Sequence, residues 1–136
     1  VVAQANGTVR LLTPQGEQLL EFSAGHERPL ARVAAARGGG QRLLATGDTS
    51  GVIRLHKIDM REVRKVAPAL GPWDDRDSQY LGLSLVTVTA RLQREVQAPR
   101  SSAEKEGRRP TALALLSQRG AKYLVAGDSD GMITVF

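Results

Sequence analysis

The stretch that decides the fold is Leu43 to His56, LLATGDTSGVIRLH, because Tyr123 to Phe136, YLVAGDSDGMITVF, repeats its rhythm 80 residues later. With no gap, Gly40, Leu44, Gly47, Asp48, Gly51 and Ile53 fall on Gly120, Leu124, Gly127, Asp128, Gly131 and Ile133. Other positions keep their physical type: Leu43 meets Tyr123, Ala45 meets Val125 and Leu55 meets Val135. A third copy lies 44 residues upstream of the first, where Asn6 to Leu12 falls on Ser50 to His56 and Val1-Val2-Ala3 replaces the preceding apolar run. Each copy is an apolar run, a polar turn ending in glycine, and a second apolar run. That pattern predicts a β-hairpin turning at Gly7, Gly51 or Gly131, since glycine and asparagine accept the positive φ of a tight turn. Unbroken apolar runs such as Leu43-Leu44-Ala45 predict strands buried on both sheet faces.

Two further strands are expected between the first two hairpins. Glu17 to Phe22 follows the turn Pro14-Gln15-Gly16, and Leu30 to Ala36 precedes Gly38-Gly39-Gly40. Alanine is frequent from Leu30 to Arg37, but so short a segment between Pro29 and three glycines makes a poor helix. Four strands in each 44 residues is the blade of a propeller. The expected fold class is therefore all-β, with β-propeller blades of four antiparallel strands in an incomplete ring. Residues 1–24 are expected to end one blade and 25–96 to form a second with an inserted loop near 59–82. Residues 97–110 should be a flexible charged loop, and 111–136 a truncated third blade.

At Ala45 to His56, at Ala126 to Phe136 and at Gly25-His26 the chain resembles the WD-repeat β-propeller family. The name-giving tryptophan-aspartate is replaced by His56-Lys57 and Leu12-Thr13, and the one literal Trp73-Asp74 sits in the insertion after Gly71-Pro72. The resemblance implies a blade-closing relay of histidine, serine or threonine, turn aspartate and tryptophan. Carried over by position, these are His26, Thr46, Ser50 in the aspartate's place and His56 in the tryptophan's, with Asp130 as the aspartate of the last copy. It also implies a scaffold for protein–protein interaction that needs further blades from the same or another chain.

A formal charge of +5 suggests acidic partners, but fifteen of the nineteen basic residues are arginines spread from Arg10 to Arg119. Scattered charge with only five aromatic residues argues against a nucleic-acid interface. The absence of cysteine excludes disulfides and thiolate metal sites and suits an intracellular reducing compartment such as the cytoplasm. No run approaches the roughly 18 apolar residues of a membrane span.

Repeat register is lost from Asp59 to Pro110. Leu83 to Leu92, LSLVTVTARL, reads as the outer strand of the second blade. Asp59 to Gln79 reads as a loop, and Gln97 to Pro110 as disordered, with Arg100-Ser101-Ser102 a possible phosphate acceptor. Long loops on such a scaffold are where function is carried.

Catalytic and ligand chemistry is not evident. Asp128-Ser129-Asp130-Gly131 resembles part of a calcium loop, but Ala126 stands where another oxygen ligand is needed, and a hairpin turn explains the motif better. The glycines at 38–40 launch no helix and are not followed by the lysine of a phosphate loop. His26 and His56 are too few for a histidine metal cluster, and no serine has a nucleophile-elbow context. The expectation is a non-catalytic propeller segment with no cofactor and other proteins as partners. Its alternative is a propeller enzyme of hydrolase or quinoprotein type whose active site lies outside this segment.

Overall fold

A computed structural model describes residues 1–38, 40–65, 83–98, 109–118 and 121–136. The described residues contain strands and turns and no helix. Ten strands form three antiparallel sheets in chain order: β1 (Val2–Ala3), β2 (Thr8–Leu12) and β3 (Gln18–Ser23), then β4 (Leu30–Gly38), β5 (Gln41–Asp48), β6 (Val52–Lys65) and β7 (Leu83–Gln97), and finally β8 (Pro110–Gln118), β9 (Ala121–Asp128) and β10 (Ile133–Val135). In each sheet spatial order follows the chain. The described residues form no closed ring.

The registers reproduce the sequence repeat more fully than the residues themselves do. β4 pairs with β5 through Leu30↔Asp48, Val33↔Thr46 and Ala36↔Leu43, and β8 pairs with β9 through Pro110↔Asp128, Leu113↔Ala126 and Leu116↔Tyr123, each 80 residues on. Both pairs bulge at the same place, at Ala31 and at Thr111. The N-terminal sheet obeys the other offset: Val2↔Arg10 and Ala3↔Val9 precede Thr46↔Arg54 and Gly47↔Ile53 by 44. Its bulge after Leu11 recurs after Leu55. Even the ends agree, since Ala24 N–H donates to the Gly7 carbonyl and Ala98 N–H to the Gly51 carbonyl, both at 2.9 Å.

Stacking of the sheets explains the apolar runs. Successive strand residues point to opposite faces, so Leu44 joins a cluster with Val9, Ala24, Ile58 and Val88 while Ala45 joins Ile53, Leu124 and Ala126. The middle sheet is thus sealed on one side by the N-terminal sheet and on the other by the C-terminal sheet. The bulge between β6 and β7 is needed for this: Met60↔Val88 and Ile58↔Ala90 lie on the first face, whereas Ile53↔Val96 lies on the second. At about 25 cal/mol per Å² of apolar surface removed from water, this two-sided burial is the main force holding β5 in place.

Two expectations change. Asp59 to Lys65 is not loop but the second half of β6, paired from Asp59↔Thr89 to Lys65↔Leu83. The cause is partner supply: β7 continues past the end of β5, and the ladder runs on as a two-stranded ribbon. β7 itself extends to Gln97, five residues beyond the expected strand. The hairpin turns share one form. Gly7, Gly51 and Gly131 do take positive φ, at 90°, 88° and 80°, and each closes a type I turn with a glycine bulge. Their N–H groups donate to the carbonyls of Gln4, Asp48 and Asp128 three residues back. Gly16, with φ 90° and a bond to the Thr13 carbonyl, makes the same turn. Trp73-Asp74, Arg100-Ser101-Ser102 and most of the two expected loops lie outside the described residues.

Candidate functional site

The polar groups that converge in the interior are those of the middle sheet. Thr46 and Asp48 stand on β5, which is covered on both faces, and both are buried, as is His56 on β6. His26 enters from the β3–β4 connection. Its Nδ1 lies 2.9 Å from Asp48 Oδ2 and its Nε2 lies 2.8 Å from Thr46 Oγ1. Thr46 Oγ1 is in turn 3.4 Å from His56 Nε2. One directional chain satisfies all of these contacts: His56 Nε2–H donates to Thr46, the Thr46 hydroxyl donates to His26 Nε2, and His26 Nδ1–H donates to Asp48. In that tautomer His56 offers one ring N–H, as an indole would. Its ring packs edge-on to Phe22 of β3, with centroids 5.3 Å apart and planes at 64°.

The carboxylate is not where position 50 placed it. Ser50 is a donor: its N–H and hydroxyl both bond to Asp48 Oδ1, at 2.9 and 2.7 Å, and Val52 N–H adds a third bond at 3.1 Å. Asp48 therefore holds the turn with one oxygen and His26 with the other. The physical reason is strand direction, because residue 48 is still on β5 beside Thr46 whereas residue 50 has already turned away. The last copy shows the same displacement. Asp130 N–H and Met132 N–H donate to Asp128 Oδ1, both at 2.9 Å, so Asp128, not Asp130, holds that turn. This use of Asp128 is also what the calcium-like motif turns out to be. The signal was present in the sequence, since Asp48 and Asp128 coincide in the repeat and Asp130 falls on Ser50.

Among the described residues the full chain of bonds occurs once. Thr46 and His56 correspond to Ala126 and Phe136 in the C-terminal sheet, and Gln4 takes the place of Asp48 in the N-terminal one. There Asn6 Oδ1 substitutes by accepting from Thr8 N–H at 3.0 Å. Burial is the largest cause, followed by His26 and then Arg54, that lowers the His56 pKa from 6.5 to about 4. Arg54 is itself fixed, with Nη1 donating to the Ala24 carbonyl at 3.1 Å and Nε to Glu95 at 2.7 Å.

Every member of the network is bonded to another member or to the backbone, so the arrangement ties the β3–β4 connection, β5, β6 and the turn between them together. Among the described residues no group of three or more histidine, aspartate or glutamate side chains could hold a metal ion. No described helix is long and apolar enough to cross a membrane. An open groove of about 340 Å³ runs between the N-terminal and middle sheets, lined by Leu11, Leu19, Ala35, Ile58 and Met60. Arg37 and Arg42, directly opposite each other across the β4–β5 pair, also line it.

No family model, no curated protein and no solved structure matches the chain.

Proposed function

We propose that the chain is a segment of a divergent β-propeller of the WD-repeat kind, acting as a non-catalytic scaffold that holds other proteins. The reading is carried by one observation: the middle sheet is sealed on both faces by sheets that share its register and its bulges. A unit that buries its faces against copies of itself is quasi-one-dimensional, and its binding capacity lies on the loops and grooves along the stack. The histidine, threonine and aspartate side chains that chemistry would need are spent inside the stack. The groove beside Arg37 and Arg42 suits an acidic segment with apolar side chains, because like charges placed directly opposite each other repel until an anion joins them.

The test is recovery of the natively purified protein with its co-purifying polypeptides, for the unaltered chain and for the double variant Arg37→Glu/Arg42→Glu. A polypeptide at fixed stoichiometry, lost from the double variant while the strands keep their hydrogen-exchange protection, is the expected result. Recovery of the unaltered protein as a lone species would remove this reading.

A further inference from the structure

The fold gathers arginines and lysines that the sequence scatters. One face of the β6–β7 ribbon carries Lys57 opposite Arg91, Asp59 opposite Thr89 and Arg61 opposite Thr87. Arg61, Thr87, Thr89 and Arg91 are exposed. Successive strand residues point to opposite faces, so the other face of the same stretch carries Ile58, Met60, Val88 and Ala90, which belong to the core shared with the N-terminal sheet. The ribbon is therefore anchored along one side and bare along the other.

The bulge in β7 enlarges this face. Regular alternation would turn Arg91 and Arg94 to opposite sides, but the extra residue between Leu92 and Arg94 leaves Arg91 opposite Lys57 and Arg94 opposite Leu55. Lys57 and Leu55 share one face of β6, so both arginines share it too. Arg94 then lines the cleft between the middle and C-terminal sheets together with Lys122, whose Nζ donates to Gln41 Oε1 at the start of β5. The carboxylate set among these cations is Asp59, with Oδ1 3.0 Å from Lys57 Nζ. Among the described residues Arg61, Arg91 and Arg94 have no ion-pair partner. Like charges directly opposite each other, as Lys57 and Arg91 are, destabilise a sheet, and a polyanion lying across the ribbon would reverse that effect.

We infer that this surface binds the phosphate backbone of a nucleic-acid duplex without reading its sequence. Arginine, lysine and threonine are among the side chains that contact phosphate, and protein–DNA interfaces are much more positively charged than protein–protein ones. From Lys57 to Arg61 and from Thr87 to Arg91 the face carries only charged and hydroxyl side chains. It therefore lacks the aromatic and apolar anchors around which a protein interface is built. Neither β6 nor β7 contains phenylalanine, tyrosine or tryptophan, so the stacking platform that a single strand uses is missing. A duplex keeps its bases stacked on each other and turns its phosphates outward, so the scarcity of aromatic residues counts against single strands alone. The inference goes beyond the scaffold reading above and does not depend on it.

Fluorescence anisotropy of a labelled DNA duplex of arbitrary sequence, titrated with the protein from about 50 to about 200 mM salt, tests it. Each neutralised phosphate contributes about −0.9 to the slope of log K against log salt, so five cations set against one carboxylate predict a slope of about −3.6. Arg61→Gln/Arg91→Gln should flatten that slope by about two and weaken binding about tenfold or more. Arg37→Gln/Arg42→Gln removes the same charge from the other face of the middle sheet and should leave the slope within about 0.5 of the unaltered protein's. A single strand of equal length should bind about tenfold more weakly than the duplex. Hydrogen exchange of β5 confirms that each variant is folded. Equal losses in the two double variants would assign binding to net charge alone and overturn the inference. Tighter binding of the single strand would also overturn it, and so would displacement of the duplex by polyglutamate at equal concentration of charge, which would make the surface a site for acidic protein.

Discussion

Oδ2 of Asp48 and Nδ1 of His26 meet at 2.9 Å with both side chains shut off from solvent. The pair ties the β3–β4 connection to the end of β5, and Oδ1 of the same carboxylate ties down the turn that follows. Asp48→Ala removes both at once and leaves two backbone N–H groups and a buried ring nitrogen without their acceptor. Unmade buried hydrogen bonds cost about 1–3 kcal/mol each, so Asp48→Ala should lower stability by about 3 kcal/mol or more. Ser50→Ala deletes one donor while Ser50 N–H stays bonded, and should cost no more than about 1 kcal/mol. Urea denaturation of the three proteins gives the comparison, and equal losses for both variants would place the aspartate's role at position 50 after all.

The order of local stability follows from the stacking. β5 has a strand on each side and a sheet on each face, whereas β1 and β10 are short and edge-placed. Native-state hydrogen exchange should therefore be slowest from Leu43 to Asp48 and fastest in β1 and β10, since opening free energies track local burial. Amides of β10 exchanging as slowly as those of β5 would contradict this.

What could be read from the residues alone was whatever is local. Glycine at 7, 51 and 131, each directly after a short polar residue, locates three hairpins, and Pro29 with the glycines at 38–40 bounds β4, because turn chemistry acts over three or four residues. The second half of β6 escaped because Asp59-Met60-Arg61-Glu62 has no apolar run of its own. It is held by Val86 to Thr89, far along the chain, and no local pattern records that pairing. The bulge after Leu55, which sends Val96 to one face and Val88 to the other, was equally invisible. Of the interior network, His26, Thr46 and His56 were reached only through the resemblance to the WD-repeat family, whose relay was carried over by position. Asp48 was missed because serine at 50 and aspartate at 48 both offer a short oxygen to the turn, and only the direction of β5 decides which one faces the histidine.

Paired glycine substitutions separate close approach from repeat bookkeeping. Gly47→Ala puts a Cβ 2.9 Å from the ring of Pro110, and overpacking of this kind typically costs about 1–3 kcal/mol. Gly127→Ala in the same chain meets ordinary van der Waals distances, and replacing a strand glycine there should be neutral or slightly stabilising. Thermal denaturation should thus separate the two variants, with only Gly47→Ala shifted down. Equal shifts would mean that the C-terminal sheet does not press on Gly47.

Acid should unfold the protein through His56. Its pKa is lowered from 6.5 to about 4, first by burial and then by His26 and Arg54, so the unfolded chain binds a proton at a pH where the folded one does not. The contribution is fully present above pH 6.5 and is lost as pH falls toward 4, at up to about 1.4 kcal/mol per pH unit, then levels off once both states are protonated. A protonated His56 would also place a cation beside Arg54 and His26, with Thr46 as its side-chain hydrogen-bond partner. His56→Phe keeps an aromatic ring against Phe22 and removes the titration. It should lower stability at pH 7.5 by about 1 kcal/mol for the lost bond to Thr46, yet flatten the decline between pH 6.5 and 4.5. Denaturation midpoints for both proteins across that range decide it: parallel curves would assign the acid sensitivity to other groups.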